Sequence, residues 1–160
     1  MSKLYFASPL FSEMEVTFNA QLATIIRTHL PELDVFLPQE QGEINDKNAY
    51  ADSTMIAKLD TEAVLASDVM LAVLDGQIID PGVASEIGIA YQAGIPVIGL
   101  YTDSRQQGAT NQKKIDALQE IAESQFGYVN LYTVGLIKLR GEIVNRSDEV
   151  VAAIQRQLNR

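Results

Sequence analysis

Apolar and polar positions alternate along the chain in two periods, and the two take turns. Lys3-Leu4-Tyr5-Phe6-Ala7 is a short apolar run that predicts a first strand. Phe18, Leu22, Ile25, Ile26 and Leu30 then recur at helical spacing, predicting an amphipathic helix over 12–30, stopped by Pro31. Val35-Phe36-Leu37 predicts a brief second strand before Pro38, and the polar, aperiodic stretch 39–49 a loop over the sheet edge. A helix follows over 50–66, with Met55, Leu59 and Ala63 on one side. Val69 to Leu74 is an unbroken apolar run, as in a strand buried on both faces, ended by Asp75-Gly76. Pro81 suits the first position of the next helix, whose missing N–H costs nothing there. Val83, Ile87, Ala90 and Tyr91 give that helix its inward face, and Gly94 is a natural stop.

Ile95 to Tyr101 predicts a fourth strand, Thr102 to Lys114 a polar surface segment, and 112–123 a helix. Val129 to Leu139 fits either period, the helical one better; Ser147 is expected to cap a last helix, with Asp148 and Glu149 in its first turn. Strands alternating with helices predict an α/β fold. It is a doubly wound parallel sheet of about five strands, flavodoxin- or Rossmann-like, in one domain over 1–160.

Composition narrows the function classes. The 160 residues include no cysteine, which excludes disulfides, thiolate zinc sites and a cysteine nucleophile. A net charge of −9 argues against nucleic acid or a polyanionic surface as partner and is compatible with a neutral small molecule. No apolar stretch approaches membrane-spanning length, and Met1 to Phe6 lacks the form of a leader, so a cytoplasmic protein is expected. There is no Gly-x-Gly-x-x-Gly after the first strand and no Gly-Lys-Ser/Thr, so no phosphate cradle and no cofactor or metal are expected. His29 reads as a surface residue at a helix end, and Lys113-Lys114 as a solvated pair.

In open parallel sheets ligands bind beyond the carboxyl ends of the strands. Ala7-Ser8-Pro9 follows the first strand, Gln39-Glu40-Gln41 the second, and the segment Asp75 to Glu86 the third. Asp75, Asp80 and Glu86 are expected to converge there. Glu86 lies one turn into its helix among Val83, Ala84, Ile87, Gly88 and Ala90. It reads either as a solvated helix glutamate or as a partly buried carboxylate at the ligand end. In the second reading Gly82 and Gly88 let backbone or ligand approach, and the carboxylate can attack a sugar anomeric carbon.

Tyr5-Phe6-Ala7-Ser8-Pro9-Leu10-Phe11 and Asp80-Pro81-Gly82-Val83-Ala84-Ser85-Glu86-Ile87-Gly88-Ile89-Ala90 resemble the opening loop and catalytic segment of the nucleoside 2-deoxyribosyltransferases. Asp60, followed by Ala66 to Leu71, resembles that family's helix and third strand, and the resemblance spans about residues 3–140. It implies Glu86 as nucleophile, Asp80 as the acid bound to the sugar 5′-hydroxyl, Asp60 as the acid near the base, and Tyr5 as the residue holding the nucleophile. Asn130 resembles an asparagine reaching a neighbouring subunit's site, Gln41 a glutamine contacting the base, and Ser8 and Gly82 belong to the substrate-binding loops. Implied partners are 2′-deoxynucleosides, free nucleobases and further copies of the chain, in a homo-oligomer with shared sites.

The chain departs from that pattern in ending on a helix, Gln155 to Arg160, instead of a tyrosine-containing tail, and in the polar stretch from Asp103 to Lys114. Two alternatives stand beside the transferase. One is a 2′-deoxynucleoside 5′-monophosphate N-glycosidase, which would hand the sugar to water. Asp80, where a small hydroxyl residue would admit a phosphate, weighs against it. The other is a non-catalytic flavodoxin-like module holding magnesium, which wants paired acids where Ala7-Ser8-Pro9 stands and a lysine near Tyr101-Thr102.

Overall fold

The computed structural model describes residues 1–42, 52–106, 110–123 and 127–159. Five parallel strands, β1 (Lys3–Ala7), β2 (Asp34–Phe36), β3 (Val69–Val73), β4 (Val97–Leu100) and β5 (Glu142–Val144), form one sheet in the order β2-β1-β3-β4-β5. The helices are α1 (Glu13–His29), α2 (Ser53–Leu65), α3 (Pro81–Ala93), α4 (Gln112–Ala117), α5 (Leu131–Arg140) and α6 (Val150–Leu158). The architecture is the doubly wound α/β fold the strand–helix alternation predicts.

Side chains of a strand point alternately to its two faces, and this splits the core in two. Leu4, Phe6, Leu71, Val73, Ile98 and Leu100 pack under α1 and α6. Tyr5, Ala7, Met70, Ala72 and Val97 pack under α2, α3 and α5. All five residues of β3 are buried, because helices cover both its faces.

Local signals account for most boundaries. Ser12 and Glu15 form a reciprocal capping box at the start of α1. Asp80 caps α3, Pro81 takes its first position, and Gly94 ends it in the left-handed conformation at φ 81°.

The structure also corrects the pattern in places. The buried face of α1 is Asn19, Leu22, Ala23 and Ile26, while Ile25 is exposed and Phe18 only packs at the margin. On α2, Val64 is the buried residue and Met55 is exposed. The helix expected over 112–123 ends at Ala117. Ser147 opens a 3-10 turn, Ser147–Glu149, and α6 begins at Val150 with no side-chain cap. The ambiguous stretch 129–139 carries a helix, α5, which starts at Leu131, and the three-residue β5 is too short to show in the pattern. The loop expected over 39–49 begins with a 3-10 turn, Pro38–Glu40; its remainder from 43, and 107–109 of the polar segment, lie outside the described residues.

The topology fixes where a ligand can go. The chain runs outward from β1 to β2 on one side and from β3 to β4 on the other, so its direction of winding reverses between β1 and β3. At such a switch point the connecting loops part and leave a crevice at the carboxyl ends.

Candidate active site

A cleft of about 360 Å³ opens at that switch point. The turn after β1 contributes Ser8, Leu10 and Phe11; the turn after β2 contributes Pro38; α2 contributes Ile56 and Asp60; the start of α3 contributes Asp80, Gly82, Val83 and Glu86. The lining is therefore an apolar wall with carboxylates from two helices.

Glu86 is held from beneath. Tyr5 lies on β1, wholly buried, with its ring stacked on Phe36 at 5.4 Å between centroids. Its phenol donates to Glu86 Oε1 at 2.6 Å, a short, charge-assisted bond when the carboxylate is ionised. Burial pushes the Glu86 carboxyl up to about 7; the Tyr5 hydrogen bond pulls it down, and the charges of Asp60 and Asp80 add to the rise. Burial, then the charge of Glu86, holds the Tyr5 phenol far above its ordinary range, so Tyr5 remains a donor.

Asp80 does two jobs at the head of α3. Its Oδ2 accepts from the backbone N–H of Gly82 at 2.9 Å and of Val83 at 3.1 Å. Its Oδ1 has no protein hydrogen bond among the described residues, on a side chain that lines the cleft. Gly82 suits this arrangement, since a Cβ there would stand 3.0 Å from Asp80 Oδ2 and press on the capping carboxylate. The same reasoning fails for Gly88, where a Cβ would meet nothing within 4 Å.

Asp60 comes from α2. Its Oδ1 is buried without a hydrogen-bond partner, and burial raises its carboxyl above the usual range. Burial makes ionisation of a carboxyl so placed more costly than in water.

Asp75 does not join these groups. Its carboxylate accepts from the Thr102 backbone N–H at 2.7 Å and hydroxyl at 2.5 Å, tying the end of β3 to the end of β4. The third carboxylate at the cleft is Asp60 instead.

Ser8 lines the cleft and donates to Asn19 Oδ1 at 2.7 Å. Gln41 and Asn130 are not among the lining residues. Gln41 Nε2 donates to Leu37 O at 3.3 Å. Asn130 caps α5, its Oδ1 accepting from the Thr133 N–H at 3.1 Å, and it stands beside the exposed Tyr128, Leu131 and Tyr132. His29 is an exposed helix-end residue, its Nδ1 2.9 Å from Ile25 O. Among the described residues no group of three or more His, Asp or Glu side chains is placed to hold a metal ion, and no helix is long and apolar enough to cross a membrane.

The apolar lining residues Leu10, Phe11, Pro38, Ile56 and Val83, and Asn19 behind Ser8, are the ones that pattern reading did not assign to the site. Asn19 carried a signal: it stands in register with Leu22, Ala23 and Ile26 on the buried face of α1.

The family model described as nucleoside 2-deoxyribosyltransferase matches residues 4–128. No curated relative matches the chain. A conserved protein from Enterococcus faecalis V583, of solved structure, is 59% identical over 98% of this chain and 99% of its own, with a TM-score of 0.93. A 2-deoxyribosyltransferase from Bacillus psychrosaccharolyticus is 21% identical over 94% of this chain and 90% of its own, with a TM-score of 0.61. The CMP N-glycosidase BcmB of Clostridium botulinum is 18% identical over 97% and 98%, with a TM-score of 0.51. At the last two identities the likeness is one of fold.

Proposed function

The chain belongs to the nucleoside 2-deoxyribosyltransferase family, and from that premise we propose that it moves a 2-deoxyribosyl group from a 2′-deoxynucleoside to another nucleobase through a covalent intermediate on Glu86. The observation that carries the reading is the 2.6 Å hydrogen bond from buried Tyr5 to Glu86 at the mouth of the β1/β3 crevice. It leaves Glu86 Oε2 for attack and orients the carboxylate. The solvated-glutamate alternative offers no reason for a fully buried phenol to end there.

The steps follow from these groups. Glu86 forms a C1′–O bond as the C1′–N bond to the base breaks, and the electron pair of the broken bond leaves with the base nitrogen. Charge builds on the sugar in an oxocarbenium-like transition state, which an adjacent carboxylate stabilises. Asp60, which lines the cleft from α2, is the group that passes a proton to the base. The acceptor base then attacks C1′ from the vacated face, returns a proton to Asp60, and expels Glu86. Two inversions amount to net retention with ping-pong kinetics.

Asp80 Oδ1 is the acceptor for the sugar 5′-hydroxyl, and the apolar wall of Leu10, Phe11, Pro38 and Ile56 faces the base. Asp80 disfavours a 5′-phosphate, which separates this reading from the monophosphate N-glycosidase. Nucleoside salvage in the cytoplasm is the role that suits such a substrate. Subunits associate through the Tyr128–Tyr132 face, bringing Asn130 towards a neighbour's site, and Gln41 contacts the base.

The test is incubation with 2′-deoxyinosine or thymidine and free adenine, with Glu86→Ala alongside. Deoxyadenosine from the wild type and none from the variant is the expected result. Free deoxyribose without deoxyadenosine makes the protein an N-glycosidase. No reaction with either nucleoside overturns the reading.

A further inference from the structure

Behind the cleft wall lies a polar group in an apolar helix face. Asn19 is 1% exposed, yet each part of its amide is engaged. Its Nδ2 donates to Pro9 O at 3.0 Å and to Gln39 Oε1 at 2.9 Å, and its Oδ1 accepts from Ser8 Oγ at 2.7 Å. Gln39 in turn donates from Nε2 to Val16 O at 3.0 Å.

The orientation of both amides in this network is determined, and of the two acceptors within reach of the Ser8 hydroxyl, Asn19 Oδ1 at 2.7 Å is closer than Pro9 O at 3.2 Å. Backbone carbonyls can only accept, so Val16 O orients the Gln39 amide and Pro9 O orients the Asn19 amide. Asn19 therefore turns an oxygen towards Ser8, and an oxygen can only receive. The single hydrogen of the Ser8 hydroxyl is drawn away from the cleft, and a hydroxyl that has given its hydrogen has only lone pairs left to offer.

We infer that Asn19 is a positioning residue that commits Ser8 to act as a hydrogen-bond acceptor, so that the cleft selects a nucleobase presenting an N–H or NH₂ at Ser8. The inference rests on the deoxyribosyl-transfer reading for the identity of the ligand. Ser8 stands two residues before Leu10 in the same turn, which places it with the apolar wall that faces the base. The network also ties that turn to the Pro38–Glu40 turn, so one buried amide sets the spacing of both sides of the wall.

The experiment measures binding of 2′-deoxyadenosine and 2′-deoxyinosine by calorimetry in a Glu86→Gln background, which cannot form the intermediate. These nucleosides carry opposite donor and acceptor patterns on the six-membered ring. Ser8→Ala should weaken the better-bound nucleoside roughly tenfold, the effect of one well-made hydrogen bond of about 1.4 kcal/mol. Asn19→Leu, close in shape but unable to accept, releases the Ser8 hydrogen from its shorter bond and leaves it a ligand acceptor in the cleft or the more distant Pro9 O. It should shift the preference between the two nucleosides, and should have no such effect once Ser8 is alanine. Equal losses for both nucleosides, or losses that add in the double variant, would make Asn19 merely structural and overturn the inference.

A neutron structure of the unliganded protein reads the same claim without any nucleoside. Deuterium on Ser8 Oγ aimed at Asn19 Oδ1 supports it, and deuterium aimed into the cleft or at Pro9 O defeats it. If neither nucleoside binds while the neutron map shows the inward hydrogen, the functional reading falls and the commitment of Ser8 stands.

Discussion

Tyr5 and Glu86 are 81 positions apart in the chain and 2.6 Å apart in the fold. The pairing joins β1 to the helix that follows β3, because Tyr5 ends up under α3 only when β1 lies beside β3 in the observed register, Tyr5 against Met70. A single hydrogen bond thus depends on the whole topology, and it is also the simplest handle on the chemistry.

Tyr5→Phe removes the donor and keeps the ring packed on Phe36. A hydrogen bond to a charged group contributes about 1.5–3 kcal/mol, so kcat/KM should fall roughly ten- to a hundredfold. The hydrogen bond pulls the Glu86 carboxyl down, so its loss raises that carboxyl further. The acid limb of the pH–rate profile should therefore move to higher pH in the variant. A profile that loses height without moving would show that Tyr5 acts on something other than the ionisation of Glu86.

Asp80 combines a helix cap with a free oxygen, and two substitutions separate them. Asp80→Asn keeps an acceptor for the Gly82 and Val83 N–H groups, and asparagine caps about as well as aspartate. Its melting temperature should stay near wild type while turnover of the nucleoside drops. Asp80→Ser also caps, and removes the charge that repels phosphate. Its turnover of a 2′-deoxynucleoside 5′-monophosphate, relative to the nucleoside, should rise. A ratio unchanged from wild type would show that Asp80 does not exclude the phosphate.

Leu131 and Tyr132 are 82% and 76% exposed at the start of α5, with Tyr128 beside them. Large apolar side chains grouped on a surface mark an interaction site. Leu131→Asp should shift sedimentation from an oligomer towards a monomer, and should lower activity if Asn130 completes a neighbour's site. A wild-type protein that sediments as a monomer at micromolar concentration would remove the shared-site part of the functional reading.

The parts of this architecture written locally were legible before the fold was known. Pro81 reads as a first helical position and Gly82 as a point of close approach, and the structure uses both, adding Asp80 as the cap. The all-apolar run of β3 announced a strand covered on both faces. What depends on distant partners was not legible. Hydrophobicity favoured Ile25 over Asn19 as the inward residue of α1, and only the approach of Ser8, Pro9 and Gln39 makes burial of Asn19 favourable. Asp75 stands just past a strand end, where ligands bind, but strand position does not say where a side chain turns, and Thr102, just past the end of the next strand, claims it. Asp60 sits mid-helix with no local mark; only family resemblance singled it out.

The rise in the Glu86 carboxyl links activity to stability in a way that can be measured. Burial carries it from an ordinary value of 4.5 to about 7. Below pH 4.5 the group is protonated in both folded and unfolded chains and contributes no pH dependence. Between 4.5 and 7 the unfolded chain releases the proton while the folded chain keeps it. The unfolded state then binds fewer protons, so stability falls as pH rises through that window and levels off above it. At about 1.4 kcal/mol for each pH unit between the two values, the cost at pH 8 is on the order of 3 kcal/mol. Glu86→Gln cannot ionise and escapes this cost. The variant should therefore melt higher than wild type at pH 8, by roughly 6–12 °C for a chain of this size, and alongside it at pH 4. The same ionisation switches on the nucleophile, so wild-type kcat/KM should climb with pH through about 7. Paired thermal melts and a pH–rate profile check both halves. A variant no more stable than wild type at pH 8 would mean that Glu86 is ionised at little cost, and its acid limb should then lie near that of an ordinary carboxylate.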